Sequence, residues 1–406
     1  MLTTLIYRSQ VKPDLRQASI DKLVLDAIIK NTENSITGIL IYDGSAFFQV
    51  LEGEEAVIAE LFRRIRDDKR HSSVVLLMQD YSACRRFGAA GMQFFNVKSS
   101  DKDAILKDIL TFSKIREKYL QDERIIRLIS AFLTYCGRHT LPSDFRSAMW
   151  RLEDRIHFTR SQWPARLPEQ LCQFALQPIV EAFTGKVSAY EALIRSPSGT
   201  APIKMVGAAA ADKLYHFDLQ NKKQAFALAS QILKEDERLS VNLLPGVLSS
   251  IPGAVEILLN QITAAGLRPE QVIVEVTETE AITDQESFYR ALKSLRIAGT
   301  GCAIDDFGAG YSGLGLLARF QPDKIKIDMT LIQDIHLSGV KQAIVRSIAR
   351  CCEELGIMVV AEGVEKMEEW CWLESIGIHL FQGYLFSRPV LNDTCLIRWP
   401  VRNQII

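Results

Sequence analysis

Five acids, two amides and one lysine in the second half of the chain share a setting: each stands in or at the end of a short apolar run. They are Glu191 in "YEALIR", Asn242 in "SVNLL", Glu275 in "VIVEVTE", Asp305 and Asp306 in "CAIDDFG", Lys326 in "KIKID", Glu362 in "MVVAEGV" and Gln382 in "LFQGYLF". Carboxylate and amide oxygens are natural ligands for hard divalent cations. Two adjacent aspartates repel each other, and a pair of ions sharing one carboxylate would relieve that repulsion. Singly, each residue has a plainer explanation: a helix cap, a turn hydrogen bond for Asn242 before Pro245, a surface lysine. Jointly, one polar side chain on strand after strand is hard to obtain by chance.

The elements that would position this set lie between Cys172 and Pro400, where apolar strands alternate with helical patterns such as "VKQAIVRSIARCCEELG". Continuous apolar strands separated by helices predict a parallel sheet buried on both faces. Their number predicts a (β/α)8-type barrel with an irregular first strand, whose strand tips meet at one mouth. An open doubly wound sheet is the competing plan, but no GxGxxG follows an early strand. The first 96 residues read as strand, helix, two strands joined at Asp43-Gly44, helix and strand. That βαββαβ order predicts a ferredoxin-like α+β domain with helices on one face of an antiparallel sheet. Residues 97–167 read as a helical connector, and the stripe of Ile125, Leu128, Ile129 and Phe132 needs a neighbouring domain or a second subunit to pack on. Residues 168–406 form the third segment.

Composition narrows the functional classes. The 406 residues are 48% hydrophobic and 24% charged with formal net charge −1, so no global field draws nucleic acid or acidic lipid. No apolar run is long enough to span a bilayer, no secretory leader opens the chain, and a cytoplasmic location is expected. Eight cysteines without a CxxC pair and six scattered histidines argue against zinc and for reduced thiols.

"YEALIR", "NLLP", "EVTETE", "DDFGAGYSGL", "KIKID", "AEGVE" and "QGYLF" resemble, in order and spacing, the motifs of the EAL family of cyclic-di-GMP phosphodiesterases. The resemblance implies two Mg2+ or Mn2+ ions and cleavage of cyclic di-GMP to linear pGpG. It implies that Glu191, Asn242, Glu275 and Asp305 hold the first ion and that Asp305 bridges to a second held with Asp306 and Glu362. Lys326 would position the attacking water, Gln382 and Glu365 would support the site, and Glu278 would hold the loop after Asp306. Arg195 and Leu193 would contact the substrate. The chain departs from the family's usual loop at Ala309 and Gly313, neither of them an implied ligand.

In the front segment, physical reasoning alone takes Tyr7 and Met92 as core residues, while Gln49 on an apolar strand asks for buried partners. "TTLIYRS", "ITGILIY", "FFQVLEG" and "DDKRH" resemble the BLUF family of blue-light sensors. That resemblance implies a flavin, usually FAD, held noncovalently between two helices, with Tyr7 and Gln49 as the photoactive pair. Asn31 would hold the ring and Met92 would relay the rearrangement of Gln49, with Ser9, Asp68 and Arg70 as further flavin contacts. The joint expectation is a homodimeric phosphodiesterase activated by blue light. Two alternatives stand beside it: an inactive light-gated receptor for a partner such as a transcriptional regulator, and a magnesium-dependent barrel acting on another phosphate ester.

Overall fold

The computed structural model describes residues 2–12, 17–81, 85–88, 91–97, 102–113, 124–134, 145–163, 172–196, 211–277, 285–310 and 313–403. They fall into two compact units, Met1–Pro142 with Asp334–Ile344 and Ser143–Gln333 with Val345–Ile406.

The first unit is built on β1 (Leu2–Val11), α1 (Gln17–Glu33), β2 (Thr37–Tyr42), β3 (Ala46–Glu54), α2 (Glu55–Asp67), β4 (His71–Tyr81) and β5 (Gly91–Asn96), followed by α3 (Lys102–Phe112) and α4 (Arg124–Thr134). The sheet order is β4-β1-β3-β2-β5. Its central pairs are antiparallel, and β5 adds a parallel edge to β2 that the sequence reading did not include.

Strand alternation sorts the side chains onto two faces. Leu5, Tyr7, Leu40, Phe47 and Leu51 face α1 and α2, where Ile20, Leu23 and Ile58 close the core. Ile6, Ile39, Ile41, Phe48 and Val50 face the opposite way, against α3 and α4. The predicted stripe of α4 is buried there: Ile125, Ile129 and Phe132 join this cluster, Leu128 packs on it, and Phe132 meets Phe48 at 5.0 Å between ring centroids. The helices α1 and α2 thus cover one face, as expected, the connector helices α3 and α4 cover the other, and of the two expected surfaces the stripe packs on the neighbouring sheet of its own chain. "GILIY" in β2, apolar without alternation, is the pattern of a strand buried on both sides.

The second unit holds a closed barrel in the order β10-β11-β12-β13-β14-β7-β8-β9. Its elements are β6 (Trp150–Phe158), β7 (Gln173–Glu181), β8 (Lys186–Arg195), α5 (Ala211–Ile232), β9 (Arg238–Asn242), α6 (Pro245–Ser250), α7 (Ala254–Ala264) and β10 (Val272–Thr277). There follow α8 (Gln285–Ile297), β11 (Gly301–Phe307), α9 (Gly313–Arg319), β12 (Lys324–Ile327), α10 (Met329–Ile332), α11 (Gly339–Leu355, of which the part up to Ile344 falls in the first unit), β13 (Met358–Ala361), α12 (Met367–Ser375), β14 (Leu380–Phe381) and β15 (Cys395–Arg402). The irregular first strand is β7, which runs antiparallel to both its neighbours, whereas the other ladders are parallel. Outside the barrel, β6 and β15 form an antiparallel ribbon.

Candidate active site and cofactor pocket

Period-two alternation builds the barrel site from below. Ile179, Ala189, Ile273, Ala303 and Val360 pack together as one apolar cluster, with Leu380 against it. Two residues along each strand, on the same face, come Gln177, Glu191, Glu275, Asp305, Glu362 and Gln382. Asn242 and Lys326 complete this polar layer, so the chemistry rests on an apolar floor.

Adjacent strand residues point to opposite faces, so the doubled acid needs a local device to act as a pair. β11 supplies one. Its pairing with β12 slips between Ile304 and Phe307, and Asp306 adopts φ 54 in the left-handed region. A bulge of this kind inserts an extra residue and re-aims a side chain. Asp305 and Asp306 consequently reach one neighbourhood with Glu362, their ligand atoms within 4.8 Å of one another. A left-handed conformation at a non-glycine residue costs about 1–2 kcal/mol, which the surrounding strands must offset.

Lys326 is the hub. Its Nζ lies 2.6 Å from Glu362 Oε1, 2.9 Å from Glu275 Oε2 and 3.1 Å from both Glu191 Oε2 and Asp305 Oδ1. The lysine is 1% exposed. Burial pushes its ammonium towards losing a proton, but Glu191, Glu275, Glu362 and Asp305 overcome that and hold it charged, well above its ordinary range. Burial also drives Glu275 up to about 8, with Lys326 opposing and Glu191 and Asp305 adding to the rise. Glu362 is raised for the same first cause. Glu191 goes the other way: burial is outweighed by Lys326 and by hydrogen bonds from Gln382 and Asn242. Asp306 is raised by burial and then by Asp305 and Asp328.

The amides orient this cluster. Asn242 Nδ2 donates to Glu191 Oε1 at 2.7 Å, and Gln382 Nε2 donates to Glu191 Oε2 at 2.7 Å and to Gln177 Oε1 at 3.1 Å. Gln382 Oε1 is buried with no hydrogen-bond partner among the described residues. Gln177 and Ser240, which donates to Glu275, escaped the sequence reading. Both carried a signal: Gln177 interrupts the apolar "FALQPIV", and Ser240 precedes Asn242 by one strand period. Glu191, Leu193 and Arg195 share one face of β8, and half-buried Arg195 has its guanidinium lowered by burial against Tyr384 and Glu191. Glu365 is exposed and is not among the groups around Lys326; its backbone N–H donates to Glu369 Oε2. Glu278 lies outside the described residues.

Five carboxyl groups, from buried Glu191, Glu275 and Asp305 to exposed Asp306, stand against one ammonium, and the raised Glu275, Glu362 and Asp306 register the cost of ionising them together. Their atoms form two overlapping sets, Glu191–Glu275–Asp305 and Asp305–Asp306–Glu362, with Asp305 in both. An all-oxygen donor set of this charge fits hard divalent cations.

The first unit carries a different kind of site, a cavity of about 720 Å³ bordered by α1, α2 and the sheet. Tyr7 and Gln49 are register partners on β1 and β3, and the Tyr7 hydroxyl donates to Gln49 Oε1. Gln49 Nε2 donates to Met92 Sδ, and Asn31 Nδ2 reaches the same sulfur at 3.5 Å. Burial, and secondarily Asp68, raises the Tyr7 phenol and keeps it neutral. Within the lining, Arg70 is held by Asp68 at 2.6 Å; buried Ser9 is not a lining residue, and its Oγ lies 2.9 Å from Nδ1 of the lining residue His71. Tyr7, Asn31, Gln49, Asp68 and Arg70 line the cavity, whereas Met92 stands behind Gln49.

Both halves resemble known families. The EAL domain family matches residues 162–389, and the family described as sensors of blue-light using FAD, BLUF, matches residues 2–93. The blue light- and temperature-regulated antirepressor BluF of Escherichia coli (strain K12) is 40% identical over 400 residues, spanning 98% of this chain and 99% of its own. The chain belongs to the BLUF–EAL family. The structure of Klebsiella pneumoniae BlrP1 with manganese and cyclic di-GMP is 53% identical to this BLUF–EAL chain, with a TM-score of 0.92 over 99% of it and 100% of BlrP1. BlrP1 has also been solved with FMN and cyclic di-GMP without metal ions, at 49% identity and TM-score 0.87 over 99% and 100% of the two chains. The cyclic di-GMP phosphodiesterase RocR of Pseudomonas aeruginosa is 41% identical over 129 residues, 32% of this BLUF–EAL chain and 33% of RocR. No helix among the described residues is long and apolar enough to cross a membrane.

Proposed function

We propose that this protein hydrolyses cyclic di-GMP to linear pGpG under the control of blue light. The observation that carries the hydrolytic half is the pair of carboxylate sets sharing Asp305. Glu191, Asn242, Glu275 and Asp305 are assigned to a first Mg2+ or Mn2+, and Asp305, Asp306 and Glu362 to a second. When bound, two such ions lower the pKa of a bridging water and steady the leaving oxygen. Lys326 holds the four surrounding carboxylates in register and orients the attacking water. Gln382 fixes Glu191, Arg195 and Leu193 take the substrate, with the arginine fork on a phosphate, and Glu278 and Glu365 support the loops.

The cavity in the first unit supports a flavin, FAD or FMN. Its apolar walls suit a flat ring, and the Tyr7–Gln49 pair and Asn31 offer partners for ring heteroatoms. Light would drive transfer between Tyr7 and the flavin, the Gln49 amide would rearrange, and Met92 would register the change. Ser9, Asp68 and Arg70 are assigned to the cofactor's remainder. The sensor is assigned to residues 1–96, the connector to 97–167 and the barrel to 168–406.

The test is turnover of cyclic di-GMP by the flavin-loaded protein with Mg2+ or Mn2+, in darkness and under blue light. Release of pGpG that rises with light is expected. Equal turnover in both conditions sinks the regulation, and no turnover sinks the enzyme. That last result would favour a second reading, a light-gated partner-binding protein, which the full-length similarity to an antirepressor supports.

A further inference from the structure

Gln49 and Glu52 lie on β3 with their side chains on opposite faces of the sheet. Gln49 faces the cavity. Glu52 faces the side covered by α3 and α4, and it is 0% exposed. A buried carboxylate in an apolar layer needs compensation, and Glu52 obtains it from the segment that precedes β5. Its Oε2 accepts the backbone N–H of Arg86 at 2.9 Å and of Phe87 at 3.1 Å. Its Oε1 takes the Thr4 hydroxyl at 3.4 Å, with Arg86 Nη1 at 3.7 Å. Arg85 ties the same segment down from the other side, donating to the Glu52 carbonyl and Ser35 carbonyl at 2.7 Å and to Thr37 Oγ1 at 3.0 Å.

β3 thus holds the chain at two points, at Met92 on β5 and at Arg86 and Phe87 before it. Gln49 binds Met92 on the cavity face, and Glu52 binds the main chain at Arg86 and Phe87 on the helix face. Phe87 is fully buried in the cluster that contains Ile105 and Ile109 of α3 and Phe132 of α4, and it forms an isolated bridge with Ser113. Replacing Glu52 would strand the buried N–H of Phe87 and the part-buried N–H of Arg86 and free Phe87 from its anchor.

We propose that Glu52 is a positioning residue for the light response: its grip on Arg86 and Phe87 links the hydrogen-bond state of Gln49 and Met92 to the packing of α3 and α4. The claim rests on the photosensor reading above. A rearranged Gln49 amide changes what holds Met92, and β3, which carries both Gln49 and Glu52, links that change to the anchor at Arg86 and Phe87. The anchor converts a side-chain event on one face into a main-chain event on the other.

The experiment measures amide hydrogen exchange at Arg86 and Phe87 in the flavin-loaded full chain, in darkness and under blue light, with the flavin absorption spectrum recorded on the same samples. The expected wild-type result is a light-induced spectral shift accompanied by at least about threefold faster exchange at these two amides. In E52M they should exchange fast in both conditions, the spectral shift should persist, and E52Q, which keeps one acceptor oxygen, should recover most of the dark protection. A wild-type spectral shift with unchanged exchange overturns the proposal and leaves the photosensor reading intact. Absence of flavin or of any shift overturns both, and the spectrum tells that outcome from the previous one. Should E52M not fold, the wild-type and E52Q comparisons decide alone: E52Q must lose part of the dark protection, and identical protection counts against the role.

Discussion

The two sites solve opposite problems. The barrel mouth gathers like charges around Lys326 and leaves them short of cations. The cavity of the first unit holds a neutral hydrogen-bonded pair, Tyr7 and Gln49, with Asn31 also in its wall; among its charged lining residues Asp68 and Arg70 pair with each other, and burial keeps the phenol neutral. Charge must be balanced from outside, so the mouth should answer to divalent ions. A neutral network is set by the direction of its hydrogen bonds, so the cavity should answer to whatever reverses them. The difference shows how a chain with net charge −1 can keep a cluster of charges in one unit and a neutral hydrogen-bonded pair in the other.

The largest expected effect falls on the mouth. Asp305→Asn weakens both carboxylate sets at once and should lower kcat on cyclic di-GMP by ~10²–10³-fold or more, on the scale of losing one charge-stabilising group. Turnover within a few-fold of wild type would separate Asp305 from the chemistry. Next, Lys326→Met leaves four buried carboxylates without their ammonium and should destabilise the chelated protein by about 3–5 kcal/mol. Mn2+ at a hundredfold over its Kd should restore about 2.7 kcal/mol. Thermal melting in EDTA and in Mn2+ checks both, and a melting point indifferent to the substitution would contradict the hub role.

On the other side of the comparison, Tyr7→Phe should abolish the blue-light spectral shift while flavin stays bound, and with it any light dependence of turnover. Adding or chelating Mn2+ should leave that spectral phenotype unchanged. A surviving shift would remove Tyr7 from the photoactive pair.

The smallest effect sharpens how neutral the cavity is. Burial lowers His71 below its ordinary value of 6.5, partly offset by Asp68. A depressed histidine contributes stability that is present above 6.5 and lost as pH falls through the folded pKa, because the unfolded chain then binds the extra proton. His71→Gln should flatten the melting temperature of the protein against pH on the acid side of neutrality. An unchanged slope would assign the acid sensitivity elsewhere.

Much of this was legible in one dimension. The strand-by-strand placement of Glu191, Glu275, Asp305 and Glu362 follows from apolar runs ending in acids, because a closed parallel barrel brings strand tips together. The alternation in β1 and β3 likewise predisposes Tyr7 and Gln49 to one face. What sequence could not supply is register and packing partner. That Tyr7 stands opposite Gln49, that Asp306 turns left-handed so a neighbour can share its site, that Gln177 and Ser240 back the acids, and that α3 and α4 cover the second face of the first sheet are tertiary decisions. Periodicity says which side of a strand a residue occupies. Only long-range pairing decides what waits there, because burial energy depends on apolar area and not on the identity of the surface that covers it.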